Sequence, residues 1–465
     1  MSFIGIDLGT SFIKAAVLDL ENYSLHQVRR IPFPEPIDGL ESFKTEFDPR
    51  AVLSAVREVL TLVSDNSRAV EGVVMCTQMS CLVMMDQQGR VRSNCIGWRD
   101  QRALEPHPSG EGSYYEVLKR RISPSQRNEL GNELPPGAPV SFLFWMAERK
   151  QLEPNLIPVS LADFVISSLC NSRPTVDSTN AMAYELLNVP TSHWHFEVIR
   201  DLSLEKLAWP SIRKHGEIVG QMKVDGKSVP CYTAVGDYQC ALAGALLDEC
   251  ELSLNISTGS QVSRITKALS LGKYQTRPFF DGKFANTISH LPAGRSLNVL
   301  VDLVTEIPTL QGLSEQEAWG YIGKAVDQSD RCGLRVNLGF FPGPCGTAGA
   351  ISEIRERNLS VGTLFRAACE NMAENYSECA DLIWPDRSWK SVVFSGGLVR
   401  KLEALRTIIQ KKLATPSRLC ALEEDTLLGL MALALAFSKR AASVEEAMHA
   451  LRTHYSELIG EGGEG

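Results

Sequence analysis

The sequence predicts an α/β protein of two similarly built domains facing each other across a cleft, and three observations carry that reading. The chain has 465 residues, more than one ordinary hydrophobic core holds. Two distant stretches, residues 3–18 and 252–266, share one grammar: an apolar strand enters a turn of Gly, Thr and Ser, and a second strand leaves it. A third small-residue turn, Ser395-Gly396-Gly397, stands between a strand and a helix. Repetition of one architecture in two halves implies a cleft between them, where small ligands bind.

The elements follow in order. Phe3, Ile4 and Ile6 lead into Asp7-Leu8-Gly9-Thr10-Ser11, and residues 12–18 lead out. A helix is expected over about Pro49–Val63, with Asp48 as N-cap, Pro49 at its first position and Val52, Val56, Val59, Leu60 and Val63 at helical spacing. Residues 73–76 and 82–85 read as buried strands, and residues 104–139 as loops and short helices. In the second half, residues 252–257 enter the turn Thr258-Gly259-Ser260 and residues 261–266 leave it. A helix capped by Ser360 starts near Val361, and residues 391–394 form a strand. One helix after the Gly-Gly turn carries Leu402, Leu405, Ile408, Ile409 and Leu413, and residues 461–465 read as a frayed tail.

Hydrophobic residues make up 44% and charged residues 22% of the chain, as in a globular protein. A net charge of −8 argues against broad binding to nucleic acid or acidic membranes. No stretch approaches the ~18 apolar residues that span a bilayer, and the first seven residues lack the basic start of a signal peptide. The twelve cysteines contain no Cys-x-x-Cys pair, so reduced core thiols and a cytoplasmic location are expected.

A phosphate needs several converging N–H donors, which a tight turn of Gly, Thr and Ser supplies without side chains in the way. The first turn adds two hydroxyls and an acid, Asp7, able to orient a hydrated Mg²⁺. Lys14, on the face of its strand that Phe12 occupies, could reach a phosphate oxygen. Asp-x-Gly-Thr is also an ordinary hairpin turn, and Thr258-Gly259-Ser260 is weaker still alone. Ser395-Gly396-Gly397 places a helix N-terminus where an anion is favoured, or is simply a bend. Three such turns in order weigh more than any one.

Asp237 follows an apolar segment and precedes a helix of small residues, Ala241 to Ala245. Phosphoryl transfer to an alcohol needs a carboxylate beside the attacking hydroxyl. From residue type alone a helix cap is the commoner role for such an acid. His193-Trp194-His195 has no acid or cysteine at ligand spacing, so an exposed loop is expected rather than a metal site. Trp98-Arg99-Asp100-Gln101-Arg102 reads either as the flat ring and fixed charges of a sugar site or as a surface ion-pair cluster.

Taken in order, these pieces resemble the FGGY carbohydrate kinase family, within the actin-like and sugar-kinase ATPase superfamily, over nearly the whole chain. Residues 4–11 resemble its first phosphate motif, Cys76-Thr77-Gln78-Met79-Ser80 stands where many members carry Gly-Gln-Met-His-Gly, and residues 98–102 resemble its Trp-x-Asp-x-Arg. Asp163 and Asp177 resemble two further landmarks. Gly236 to Cys240 match the base motif, Asn255 to Ser260 the second phosphate motif, and Phe394 to Gly397 the adenosine motif. Asp425 and Gly429 resemble parts of the family's last shared helix.

The resemblance implies two RNase-H-like domains, residues 1–245 with sugar binding and the first phosphate motif, and residues 246–465 with the second phosphate and adenosine motifs. It implies Mg-ATP and transfer to a primary hydroxyl, with Asp237 as base and Gln78, Met79, Trp98 and Asp237 at the acceptor. Asp7, Gly9, Thr10, Ser11, Lys14, Thr258, Gly259, Gly396, Gly397 and Lys401 fall at the nucleotide, with Asp7 on Mg²⁺ through water. Gly-Asp-x-Gln-Cys followed by Leu-Asn-Ile-Ser-Thr is most similar to sedoheptulokinase members, as is Leu297-Asn298. Ser80 replaces the usual His, Val299-Leu300 two glycines, and Lys401 the Asn near the adenine, while residues 341–347 lack a Gly-Glu-Arg segment. A pentulose, pentitol or glycerol acceptor therefore stays open, as do a partner-switching actin-like ATPase and a sugar sensor without turnover. A homodimer is the default assembly.

Overall fold

The computed structural model describes residues 2–63, 69–310, 312 and 314–460. Met1 and residues 461–465, read above as a start without a signal and as a frayed tail, lie outside them.

Each half is built on one sheet, and both sheets have the same plan. In the first, Ser2–Leu8, Phe12–Asp19 and Ser24–Pro32 form an antiparallel meander, and Val70–Thr77 lies parallel on the other side of Ser2–Leu8. Lys227–Tyr232 and Ile218–Val224 complete that edge, and Val235–Gly236 pairs with the end of Val70–Thr77. In the second, Glu251–Ile256, Ser260–Thr266 and Phe284–Leu291 form the meander, with Gln275–Pro278 beyond it. Ser391–Ser395 and Ser417–Leu419 run parallel on the far side of Glu251–Ile256. A meander continued by parallel strands, twice over, is the RNase-H-like arrangement of the actin-like ATPase superfamily.

The helix Pro49–Val63 buries Val52, Val56, Val59, Leu60 and Val63 against the first sheet, the stripe its spacing predicts. Asp48 Oδ1 accepts the Arg50 N–H at 2.9 Å, which supplies the expected cap. Ser360 caps Val361–Ile383, whose apolar face fills the core of the second half. A third core joins the halves. There Asp237–Gly244 and Asp425–Phe437 lie among side chains of both sheets, including Leu18, Val74, Ile265 and Val393. Asp425–Phe437 is apolar nearly all round, as a helix enclosed on every side must be. These two helices touch through glycines: a Cβ on Gly244 would come within 1.7 Å of the Asp425 carbonyl oxygen, and one on Gly429 within 2.0 Å of that of Cys240.

Two expectations change. The helix after the Gly-Gly turn is two pieces, Gly397–Lys401 and Glu403–Leu413, because the buried Leu402 leaves helical geometry (φ −118°, ψ 88°). His193–Trp194 is not an exposed loop but a short strand paired with Leu187–Asn188. Trp194 is buried, and buried His195 lies 3.0 Å from Glu129 Oε2.

Candidate active site

Val235–Gly236 delivers the chain into the helix Asp237–Gly244, with Gly236 at the N-cap and Asp237 as the first helical residue. Capping is thus not what occupies the acid. Its Oδ1 accepts the adjacent Tyr238 N–H at 2.8 Å, and the carboxylate faces the cleft. The backbone before it is strapped down: Gly236 N–H donates to Thr179 Oγ1 (2.9 Å), which donates to Asp177 Oδ1 (2.6 Å). Asn180 Nδ2 donates to the Ala234 carbonyl at 3.1 Å. Asp177 and Asp163 are therefore buried acids that hold local structure, Asp163 by receiving the Ser160 hydroxyl at 2.6 Å.

Asp237 stands on the wall shared by two cavities. One, of about 620 Å³, is lined by Lys14, Asn255, Ser257, Gly396, Gly397 and Lys401. The other, of about 1000 Å³, is lined by Thr10, Gln78, Met79, Ser80, Trp98 and Arg277. Asp237, Tyr238 and Gln261 border both.

In the smaller cavity Gly396 has φ 93°, and a Cβ there would sit 2.4 Å from the Ile256 carbonyl oxygen, so both conformation and space require glycine. Gly397 N–H donates to Ser257 Oγ at 3.2 Å, joining the second and third turns into one surface. Thr258 and Gly259 are exposed at the tip of their turn, outside the wall itself. Lys14 lies directly across from Asp7 in the hairpin, but its ammonium is 2.7 Å from Glu424, which also holds Arg30 at 2.6 Å. Glu424 immediately precedes the helix Asp425–Phe437, so the first hairpin is tied to the last part of the chain.

In the larger cavity Thr10 faces Gln78 and Trp98 rather than the smaller cavity. Its hydroxyl donates to Gln78 Oε1 (3.2 Å) and accepts from Trp98 Nε1 (3.4 Å), while Gln78 Nε2 donates to the Gly9 carbonyl (3.4 Å). Trp98 is 40% exposed, whereas Asp100 and Arg102 are 1% and 3% exposed. Neither reading of that cluster is complete. The ring opens on the cavity, and the Asp100–Arg102 pair, with 2.8 Å contacts, is a buried clamp on the loop that presents it. Ser11 is exposed at the turn, and Asp7 and Gly9 lie behind the walls. Pro342, Gly343 and Pro344, from the loop lacking Gly-Glu-Arg, line this cavity from the second domain. Val299 is exposed and Leu300 buried in a helix.

Three acids set the electrostatics. Burial, reinforced by the charge of Asp7, pushes the Asp237 carboxyl up to about 7 against the pull of the Tyr238 N–H. Burial likewise pushes Asp425 up to about 6, with Asp7 adding to the rise. Asp7 is also raised by burial, partly offset by the Thr426 hydroxyl that donates to its Oδ2 at 2.7 Å and by Lys14. Among the described residues no three His, Cys, Asp or Glu side chains cluster closely enough to hold a metal directly. The oxygen donors of Asp7 and Asp425, the first of which raises the pKa of the second, nevertheless fit a hard cation that keeps its water shell.

The residues that sequence reasoning missed come from outside the motifs: Gln261, Glu424, Glu133, Glu185 and Arg277. Gln261 adjoins the second turn, whereas Glu133 and Glu185 stand in loops of the first half and Arg277 and Glu424 come from the second, with no local pattern to mark them.

Comparison with known proteins decides the family. Residues 2–244, more than half the chain, match the N-terminal domain of the FGGY family of carbohydrate kinases. The chain belongs to that family. Human sedoheptulokinase is 23% identical over 467 aligned residues, covering 89% of this chain and 93% of that protein. Glycerol kinase from Albidiferax ferrireducens is 24% identical but covers 52% of this chain and 49% of its own length. Among solved structures, ligand-bound xylulose kinase from Lactobacillus acidophilus superposes with a TM-score of 0.80 at 16% identity, over 98% and 96% of the two chains. Plasmodium falciparum glycerol kinase with ADP gives 0.80 at 15%, over 97% and 92%. The FGGY fold therefore spans 97–98% of this chain, and carbohydrate phosphorylation is the activity of the family to which it belongs.

Proposed function

We propose that the protein transfers the γ-phosphoryl group of ATP to a terminal hydroxyl of a small ketose, with sedoheptulose as the favoured acceptor. The observation that carries this reading is the position of Asp237 on the wall common to both cavities. A carboxylate there reaches an acceptor hydroxyl on one side and the end of a nucleotide on the other. ATP lies in the smaller cavity, its adenosine against Gly396-Gly397 and Lys401, its phosphates toward Ser257, Thr258-Gly259, Lys14 and the Gly9–Ser11 turn. The acceptor lies in the larger one against Gln78, Met79 and Trp98. Asp237 takes the proton of the attacking hydroxyl, and N–H groups of the turns stabilise charge on the phosphate oxygens. Mg²⁺, held by Asp7 through water, would supply charge neutralisation at the phosphates.

Sedoheptulose is favoured because human sedoheptulokinase aligns across nearly the whole of both chains, whereas the glycerol kinase relative aligns over half. We place the domain boundary at residues 245 and 246, where the chain passes from the first sheet to the second. We also propose a cytoplasmic homodimer; no helix among the described residues is long and apolar enough to cross a membrane. A coupled ADP-release assay over ketoses, pentitols and glycerol, with no-sugar controls, tests the reaction. Sugar-dependent release that Asp237→Ala lowers by about a hundredfold or more is the expected result. Full turnover in that variant would sink it.

A further inference from the structure

One wall of the larger cavity contains a carboxylate that the proposed transfer does not use. Glu185 lines this cavity three residues beyond the helix Ser178–Met182, in a left-handed backbone conformation (φ 58°). It is 2% exposed, and its Oε2 has no hydrogen-bond partner. A buried carboxylate oxygen without a donor is costly, and a native structure keeps one where something else is to supply the donor.

Its surroundings say what kind of donor. Glu133 and Arg277 are buried and paired, with Arg277 Nε 2.8 Å from Glu133 Oε2, and the guanidinium lies 4.5 Å from the Tyr238 ring centroid. Arg277 thereby ties this wall to the residue after Asp237. Burial and the charge of Glu133 push the Glu185 carboxyl well above the usual carboxylate range, while Arg277 pulls it down. Arg127 lines the same cavity. The cavity lining carries three acids, Glu133, Glu185 and Asp237, against Arg127 and Arg277, and with the Glu185 carboxyl raised toward its neutral form this wall suits neutral hydroxyls and not a cation. A carboxyl both accepts from and, when protonated, donates to such groups. A cavity of about 1000 Å³ also extends well past what a glycerol molecule fills.

We propose that Glu185 hydrogen-bonds a hydroxyl of the acceptor remote from the one phosphorylated, and so sets the preference of this enzyme for polyhydroxylated ketoses over glycerol. The inference rests on the assignment of the larger cavity to the acceptor. A site built to bond a hydroxyl rejects the analogue lacking it far more strongly than an apolar pocket does, because its own polar group is left unpaired.

The test compares kcat/KM for sedoheptulose and for glycerol in the full chain and in Glu185→Leu and Glu185→Gln, with melting temperature as the control for folding. The expected result is a fall of about tenfold or more in the ketose-to-glycerol ratio for Glu185→Leu, through a rise in acceptor KM with KM for ATP held. Glu185→Gln, which keeps shape and one acceptor oxygen, falls less. An unchanged ratio in folded variants overturns the role of Glu185 and leaves the kinase reading intact. Absence of sugar-dependent ADP release from the unaltered protein overturns the kinase reading itself. If Glu185→Leu does not fold, the unaltered protein is assayed with ketoses deoxygenated at the end remote from transfer. An equal loss in the unaltered protein and in Glu185→Gln overturns the proposal, as does an amino ketose preferred to its parent.

Discussion

In the proposed transfer Asp237 is the residue on which the chemistry turns, and its environment makes two measurable claims. With its carboxyl pushed to about 7, a base that must be ionised gives a kcat/KM for the acceptor that rises with pH through about 7 and levels above it. A rate flat from pH 5 to 8 would remove Asp237 from the proton transfer. The same shift bears on stability. The unfolded carboxyl ionises near ~3.9 and the folded one at about 7, so between those values the native state holds the extra proton and stability falls as pH rises. Asp237→Asn removes that penalty. Without ligands it should therefore be more stable than the unaltered protein at pH 8, by on the order of 4 kcal/mol, and match it near pH 4. On the proposed reading, removal of the acid should stabilise while it inactivates, the trade a catalytic group in a buried site makes.

At the scale of elements, the short helix Ser178–Met182 matters through what it holds. Thr179 Oγ1 receives the Gly236 N–H and binds Asp177, so it fixes the backbone one residue before Asp237 without touching either cavity wall. Thr179→Val keeps the shape and strands a buried N–H, at a cost of about 1–3 kcal/mol. We expect kcat to fall about tenfold with KM for ATP held, and Thr179→Ser to restore it, since a shift of the base acts on the chemical step. Equal kinetics in Thr179→Val would make the strap a matter of stability alone. This level also shows what periodicity can and cannot reveal. Pro49–Val63 and Val361–Ile383 were legible because their apolar stripes and caps are local. The break at Leu402 was not, because burial of that side chain, a tertiary demand, overrides a continuous helical pattern. His195 was misread for a similar reason, its partner Glu129 lying 66 residues away.

Across the whole molecule, the duplicated sheets and the three small-residue turns were legible, and with them Asp237, Gln78, Trp98, Gly396 and Gly397 in the cavity walls. What closes those walls was not legible, because it arises from contacts between halves. Glu424 is the sharpest case. Lys14 was read from the hairpin alone as a free phosphate contact, yet it and Arg30 are held by a carboxylate 410 and 394 residues along the chain. Glu424 thus does two opposing things: it ties the first meander to the head of the last buried helix, and it places a negative charge beside the cavity assigned to a polyanion. Glu424→Gln separates them. Loss of the ion pairs lowers the melting temperature modestly, since both cations are partly exposed and such pairs contribute about 1 kcal/mol or less. Loss of the like charge frees Lys14 and Arg30, so KM for ATP should fall about three- to tenfold at low ionic strength and the gain should shrink as salt is added. A rise in KM for ATP would show instead that Glu424 holds Lys14 in the position nucleotide binding requires, which makes the cross-chain tie part of the binding site rather than its competitor.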